Sequence, residues 1–172
     1  MPTHFRGGPG EVAALDAYIK LMRATECVTS RVGLVLPATL TESQFAVLEA
    51  LFHLGPLCQR QLASKLLKST ANLTLVIANL EKGKLIKRVR QPEDLRYVSI
   101  SLTQRGRALI AKLFPKVAAA IAQEFAVLSA DEKFELSRLA KKLGLQSDES
   151  LHAPQTKARR VPAKPRRTSR RK

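Results

Sequence analysis

Residues 69–82 carry the side chains most suited to a specific chemistry. Apolar residues recur there with helical spacing and form a stripe of Leu73, Val76, Ile77 and Leu80. The opposite side has no acid and presents Ala71, Asn72, Thr74, Leu75, Ala78, Asn79 and Lys82. Small side chains, amides and methyl groups suit the base edges of a DNA major groove about 12 Å wide. The pattern therefore predicts a helix that reads a duplex, although packing of Leu75 against another segment is an alternative.

A cationic hairpin is predicted directly after this helix. Residues 85–90 are followed by Pro92 and Asp94, which favour a turn. Residues 97–102 then alternate apolar and polar side chains, as in a half-buried strand. Strand, turn and strand after such a helix form a β-wing, which the pattern places at about residues 88–97. Its cations are Arg88, Arg90 and Arg96.

The charge distribution also favours a polyanionic partner. The 172 residues include 30 basic and 14 acidic side chains, a formal net charge of +16. Residues 56–107 carry +8 and residues 150–172 carry +9, while the remaining segments are close to neutral. The C-terminal segment is rich in Arg and Pro and poor in apolar residues, so we predict disorder from residue 147 onward. It either binds phosphates without regard to sequence or keeps the protein dissolved.

Several classes of protein are excluded at this stage. No apolar run reaches the roughly 18 residues of a transmembrane helix, and the first ten residues lack an apolar signal core. We therefore expect a cytoplasmic, nucleoid-associated protein without membrane contact. Two cysteines and three scattered histidines form neither a disulfide framework nor a metal site. Since no catalytic motif appears, we expect neither an enzyme nor a cofactor.

Short helices must position the duplex-reading segment. A capping box of Thr41 and Gln44 opens a helix that ends at Gly55. A short helix over about residues 59–66 precedes the helix at 69–82, which is helix-turn-helix spacing.

Longer helices flank this unit. The first covers residues 11–33, and a long one runs from Thr103 to about Leu128, with a kink expected at Pro115. A second capping box at Ser129 opens a last helix that ends at Gly144. The long apolar stripe is more than one small domain can cover, so these flanking helices are predicted to form a dimerisation layer.

The order of these elements resembles the MarR family of bacterial winged-helix transcription factors. The resemblance covers about residues 11–144. It is carried by the stretches Leu40–Leu48, Gly55–Leu57, Asn79–Ile86, Pro92–Arg96 and Leu102–Gly106. The last two match the family's D-x-R…LT-x-x-G signature. Leu95 stands where many members carry a second Arg, the turn between the two short helices lacks Gly, and the basic tail is outside the family pattern.

The resemblance implies a mainly α (α+β) fold, a winged helix-turn-helix with flanking dimerisation helices. It implies a homodimeric regulator, most often a repressor, that straddles a pseudo-palindromic site on double-stranded DNA. Arg96 would reach the minor groove, held by Asp94, unless the two form only a surface ion pair. Contacts of the recognition helix would map onto Ser69, Thr70, Asn72 and Thr74, with Ser69 alternatively only a helix cap.

The implied organisation has five parts. They are a flexible start (1–10), an N-terminal dimerisation helix (11–40), a winged helix-turn-helix (41–103), C-terminal dimerisation helices (104–146) and a basic tail (147–172).

Family members often respond to small phenolic or other apolar molecules bound between the dimer layer and the winged helix. The candidate pocket residues are Met22, Phe45, Phe52 and Phe114, each of which is alternatively ordinary core. Oxidant sensing is a further possibility at Cys27, because nearby cations such as Arg23 and Arg31 would favour its thiolate.

Two other functions compete with an operator-reading regulator. An architectural nucleoid protein, driven by the basic tail, would bind any duplex with similar affinity and a steep salt dependence. A protein-interaction module would show no salt-dependent DNA binding. The acid-free helix face and the wing favour the regulator.

Overall fold

The computed structural model describes residues 4–91 and 94–145, and the side chains of residues 4–90 and 98–144. It is mainly helical with one small sheet, as predicted. The elements are α1 (Pro9–Gly33), α2 (Glu42–Leu54), β1 (Leu57–Cys58), α3 (Gln59–Lys65), α4 (Thr70–Lys82), β2 (Ile86–Gln91), β3 (Asp94–Leu102), α5 (Gln104–Glu124) and α6 (Ala130–Leu145). A 3₁₀ turn, Phe125–Val127, follows α5.

Helix α2 begins and ends where its sequence signals predicted. The Thr41 hydroxyl accepts a hydrogen bond from the Gln44 amide at 3.2 Å, and the Gln44 side chain accepts one from the Thr41 amide at 2.9 Å. This capping box satisfies two amides that have no partner within the helix. Gly55 ends the helix with a φ of 81°, a conformation that favours glycine.

The core lies where α2, α4, α5 and the sheet meet. The stripe predicted for α4 faces it, with Leu73, Ile77 and Leu80 fully buried and Val76 half-buried. Helix α2 contributes Val47, Leu48 and Leu51, and its contacts with both α4 and α5 make it the centre of the unit.

The sheet has three antiparallel strands in the order β1-β3-β2. The β2–β3 hairpin confirms the predicted wing, with Arg88 opposite Ile100 and an irregularity at Arg90/Gln91. Strand β3 begins at Asp94 rather than at residue 97. The two-residue β1 was not predicted, because so short a strand is stabilised by its pairing with Ile100 and Ser99 and not by any local pattern.

The start of α5 is fastened to the start of the wing. The Thr103 hydroxyl shares its one proton between the carbonyls of Lys84 (2.7 Å) and Leu85 (3.1 Å) and accepts a hydrogen bond from the Gly106 amide (3.0 Å). A Cβ on Gly106 would collide with the Leu85 carbonyl. This contact explains the spacing of Thr and Gly in the LT-x-x-G stretch.

Some predicted boundaries differ from the structure. Helix α1 begins at Pro9, inside the start predicted to be flexible, since Pro suits the first helical position and Glu11 accepts from the Gly8 amide. Helix α5 continues through Pro115 and ends at Glu124, earlier than predicted. The division into 11–40, 41–103 and 104–146 stays a prediction, and the tail lies outside the described residues.

The chain divides into two compact units, one ending at Val127 and the other beginning at Leu128. In the first, α1 packs on α5, yet α1, which the structure describes in full, has no buried residue. In the second, the predicted capping box is confirmed: the Glu132 carboxylate accepts a hydrogen bond from the Ser129 amide at 2.8 Å, and the Ser129 hydroxyl accepts one from the Glu132 amide at 3.3 Å. Helix α6 leaves Phe134 73% exposed, together with Leu139 and Leu143.

Candidate nucleic-acid interface

Helix α4 presents its predicted duplex-reading side to the surface. Because Leu73, Ile77 and Leu80 anchor the other side in the core, the predicted contact residues are all exposed. These residues are Ser69, Thr70, Asn72, Thr74 and Leu75.

The surface of α4 lacks a free acid. Its only acidic residue, Glu81, is half-buried and pairs with Arg88 of β2 at 3.4 Å between Oε2 and Nε. The exposed side therefore presents amides, methyl groups and the cation of Lys82 to a ligand. Such a surface does not repel phosphate.

The first turn of α4 is capped by Ser69. Its hydroxyl accepts a hydrogen bond from the Asn72 amide at 3.2 Å, so Ser69 is the helix cap that the sequence allowed as an alternative. A capped helix N-terminus retains unpaired amides and a positive partial charge, which is compatible with a phosphate nearby.

A side-chain link between α3 and α4 was not predicted. The Gln59 amide nitrogen donates to the Thr70 carbonyl at 3.0 Å and to the Thr74 hydroxyl at 2.8 Å. The Thr74 hydroxyl itself donates to the Thr70 carbonyl at 2.9 Å. Gln59 is therefore a positioning residue for α4. Its only sequence signal was a polar residue at the start of α3, since the contact joins residues fifteen apart.

The turn between α3 and α4 is tight without glycine. Leu67 adopts a φ of 49° and is 93% exposed, while Lys68 donates to the Ser43 hydroxyl at 2.9 Å. The expected glycine is thus replaced by a strained leucine.

The structure describes the side chains of two of the three predicted wing cations. Arg88 and Arg90 lie on β2 and are exposed, with Arg88 held by Glu81. Asp94 and Arg96 belong to β3, but their side chains lie outside those that the structure describes. Their proposed contacts therefore rest on the sequence.

A cavity of about 310 Å³ lies in the first unit between α1, α2 and α5. Its lining residues are Val28, Thr29, Val32, Gly33, Leu36, Glu42, Phe45, Val117, Ile121 and Phe125. Among the predicted pocket residues, only Phe45 lines it. Glu42 is the only charged residue of that lining.

The other three candidates are placed elsewhere. Met22 is 50% exposed on α1. Phe52 and Phe114 pack edge-to-face on the His53 ring, with centroids 5.1 and 4.6 Å away, and the Arg107 guanidinium lies 5.8 Å from the Phe52 centroid. The sequence could not separate these aromatics, because all of them recur on helix faces that point inward.

Cys27 is exposed on α1. Arg31, one of the cations expected beside it, instead bonds Glu124 of α5 through two nitrogens at 2.6 and 2.7 Å. Within the described residues, no group of three His, Cys, Asp or Glu side chains is arranged to hold a metal ion. No single described helix is long and apolar enough to cross a membrane; only residues 104–127 and 130–144, taken together across a break, reach that composition.

Comparison with known proteins places this architecture in a family. The MarR family model matches residues 40–98, which run from the start of α2 into β3. The HTH-type transcriptional regulator MhqR of Bacillus subtilis is 30% identical over 135 residues, covering 78% of this chain and 93% of its own. YkoM, another HTH-type regulator of that organism, is 39% identical over 109 residues, covering 63% and 71%.

A solved structure agrees with these matches. BpsR of Bordetella bronchiseptica, whose DNA binding is regulated by 6-hydroxynicotinic acid, superposes with a TM-score of 0.69 at 27% identity and covers 75% of this chain and 98% of its own. The relatives are transcriptional regulators rather than enzymes. The chain therefore belongs to the MarR family of DNA-binding transcriptional regulators.

Proposed function

We propose that the protein is a homodimeric repressor that reads a pseudo-palindromic operator in the cytoplasm. Each subunit would place α4 in the major groove and the β2–β3 wing in the adjacent minor groove. The exposed, acid-free side of α4 carries this proposal. The only acidic residue of α4, Glu81, pairs with Arg88, and Asn72 and Thr74 lie on the side that would enter the groove.

The exposed apolar residues of the flanking helices support a homodimer. Tyr18 and Met22 on α1 and Phe134 and Leu143 on α6 are exposed to solvent in a single chain. Water-exposed aromatic and aliphatic side chains on two helices favour burial against a second copy. A dimer also supplies the two recognition helices that an inverted repeat requires.

The cavity between α1, α2 and α5 is the proposed effector site. Its lining is mostly aliphatic and aromatic, with the carboxylate of Glu42 and no basic side chain. A carboxylate would repel an anionic ligand and accept a hydrogen bond from a hydroxyl. We therefore expect a neutral apolar or phenolic effector, in contrast to the carboxylic acid that regulates BpsR.

An effector test follows from the carboxylate of Glu42 in the cavity lining. Neutral phenols should release the operator, whereas benzoates of the same size should not. The variant Ile121→Trp would fill the cavity and abolish release while leaving operator affinity without effector unchanged. Release of the variant by the same phenol at the same concentration would rule out this cavity.

Selection of bound duplexes from a random pool tests the proposed function. Full-length protein and protein lacking residues 150–172 should both recover one inverted repeat with half-sites about one helical turn apart. A pool that remains random would instead support an architectural protein that binds through its basic tail. That alternative is favoured by residues 150–172, which carry nine cations and no acid.

A further inference from the structure

The side of α4 proposed to face the duplex has a leucine near its middle. Leu75 is 67% exposed, although Leu73, two residues before it, lies in the core and Val76, the next residue, packs against the core. A single exposed leucine is ordinary on a protein surface. Here it lies on the helix face assigned to the major groove, where an apolar side chain has few partners among base edges.

Thr74, next to it, has no proton to offer a base. Its hydroxyl donates that proton to the Thr70 carbonyl at 2.9 Å and accepts a hydrogen bond from the side-chain amide of Gln59 at 2.8 Å. A threonine hydroxyl has one donor. The hydroxyl oxygen can still accept one further hydrogen bond, but only the methyl group of Thr74 can make an apolar contact, so Thr74 and Leu75 both present hydrocarbon to a ligand.

The neighbours on this side leave room for such a contact. Ala71 precedes Leu75 by one turn and Ala78 follows it by one turn, and both are exposed. Residues three and four apart are neighbours on a helix surface. Side chains of this size let the helix approach the floor of the groove closely enough for Leu75 to touch a base.

Thymine is the base that complements these groups. In the major groove only thymine exposes a methyl group, at C5, while the other three bases present donors and acceptors alone. We infer that Leu75 and the methyl of Thr74 read thymine methyl groups in the operator half-site, an inference that rests on the proposed function. The side-chain amide of Asn72, on the same helix, suits the adenine of an A·T pair.

Uracil substitution tests this inference directly, because deoxyuridine pairs like thymidine and lacks only the methyl. Each thymine of one selected half-site is replaced in turn, and the dissociation constant is measured for the full-length protein. At one position or more, we expect binding about three- to fivefold weaker, the factor for one buried methyl. Equal binding at every position would overturn the inference and leave the selected operator, and thus the proposed function, intact.

Matched variants assign the effect to residues. Leu75→Ala and Thr74→Ser, which keeps the hydroxyl, should each bind the thymine duplex more weakly and lose sensitivity to uracil at their own position. Leu67→Ala removes an exposed leucine outside the α4 face. It should keep the wild-type ratio of the dissociation constants measured with the uracil and thymine duplexes. If both α4 variants also keep that ratio, Leu75 and Thr74 do not read the methyl. Failure of the wild-type protein to select any sequence would instead refute the proposed function.

Discussion

Gly106 shows how one residue couples the wing to the long helix α5. The hydrogen bonds of Thr103 bring the first turn of α5 against the backbone at Lys84 and Leu85. The position of a side chain at residue 106 is then occupied by the Leu85 carbonyl. Glycine is required because of this close approach and not because of an unusual backbone angle.

Gly106→Ala should therefore destabilise the protein by about 1–3 kcal/mol, the usual cost of overpacking a closed site. Urea unfolding followed by circular dichroism measures this loss. Gly10→Ala is the control, since a Cβ there meets nothing within 4 Å, and it should leave stability unchanged or slightly raised. Equal stability of the two variants would show that the contact at Leu85 is unimportant.

Arg96→Ala should weaken operator binding by more than about 1 kcal/mol, as expected for a groove-level contact. The physical reason is the enhanced negative potential of a narrow A·T-rich minor groove, which attracts an inserted Arg. Fluorescence anisotropy with the selected operator measures the change, and Arg88→Ala provides a comparison because Arg88 already pairs with Glu81. Unchanged affinity of the Arg96 variant would refute the assignment of the wing.

At the scale of elements, the start of α6 depends on the ionisation of Glu132. The Ser129 amide and then its hydroxyl stabilise the carboxylate and hold the pKa of Glu132 below its ordinary value. The stabilisation is therefore fully present above the ordinary carboxyl pKa and is lost as the pH falls through the lowered one.

An NMR titration of the Ser129 amide should show an inflection below the pH typical of glutamate. Ser129→Ala removes the hydroxyl but keeps the amide, so the inflection should move upward and yet remain lowered. Glu132→Gln should remove it. An inflection that is identical in the wild type and in Ser129→Ala would contradict this account of the cap.

The elements that sequence predicted well are those whose signals are local. Thr41 with Gln44 and Ser129 with Glu132 cap helices from three residues away, and the stripe around Leu73 orients α4 by its spacing alone. Strand β1, the Gln59 link and the cavity depend on contacts between distant segments. Met22, Phe52 and Phe114 were expected in one pocket because the family resemblance implies a ligand site beside their helices. Apolar spacing does not show which cavity a side chain lines, and Met22 is exposed on α1.

At the scale of the whole molecule, charge should set affinity while α4 sets sequence preference. Removal of residues 150–172 should make the plot of log K against log salt concentration less steep. Its slope should fall in magnitude by about 0.9 for each phosphate that the tail neutralises in the full-length complex. Site preference should stay intact. A full-length variant with the nine tail cations changed to Gln separates charge from length, and loss of preference in either protein would make the tail part of recognition.

Mass in solution tests the central claim, that two copies of this chain together read one operator. Light scattering at micromolar concentration should give twice the chain mass of 19.0 kDa. Addition of a duplex carrying one inverted repeat should give a complex of two chains and one duplex. A protein with the mass of a single chain, or a complex of one chain on the complete operator, would contradict the account.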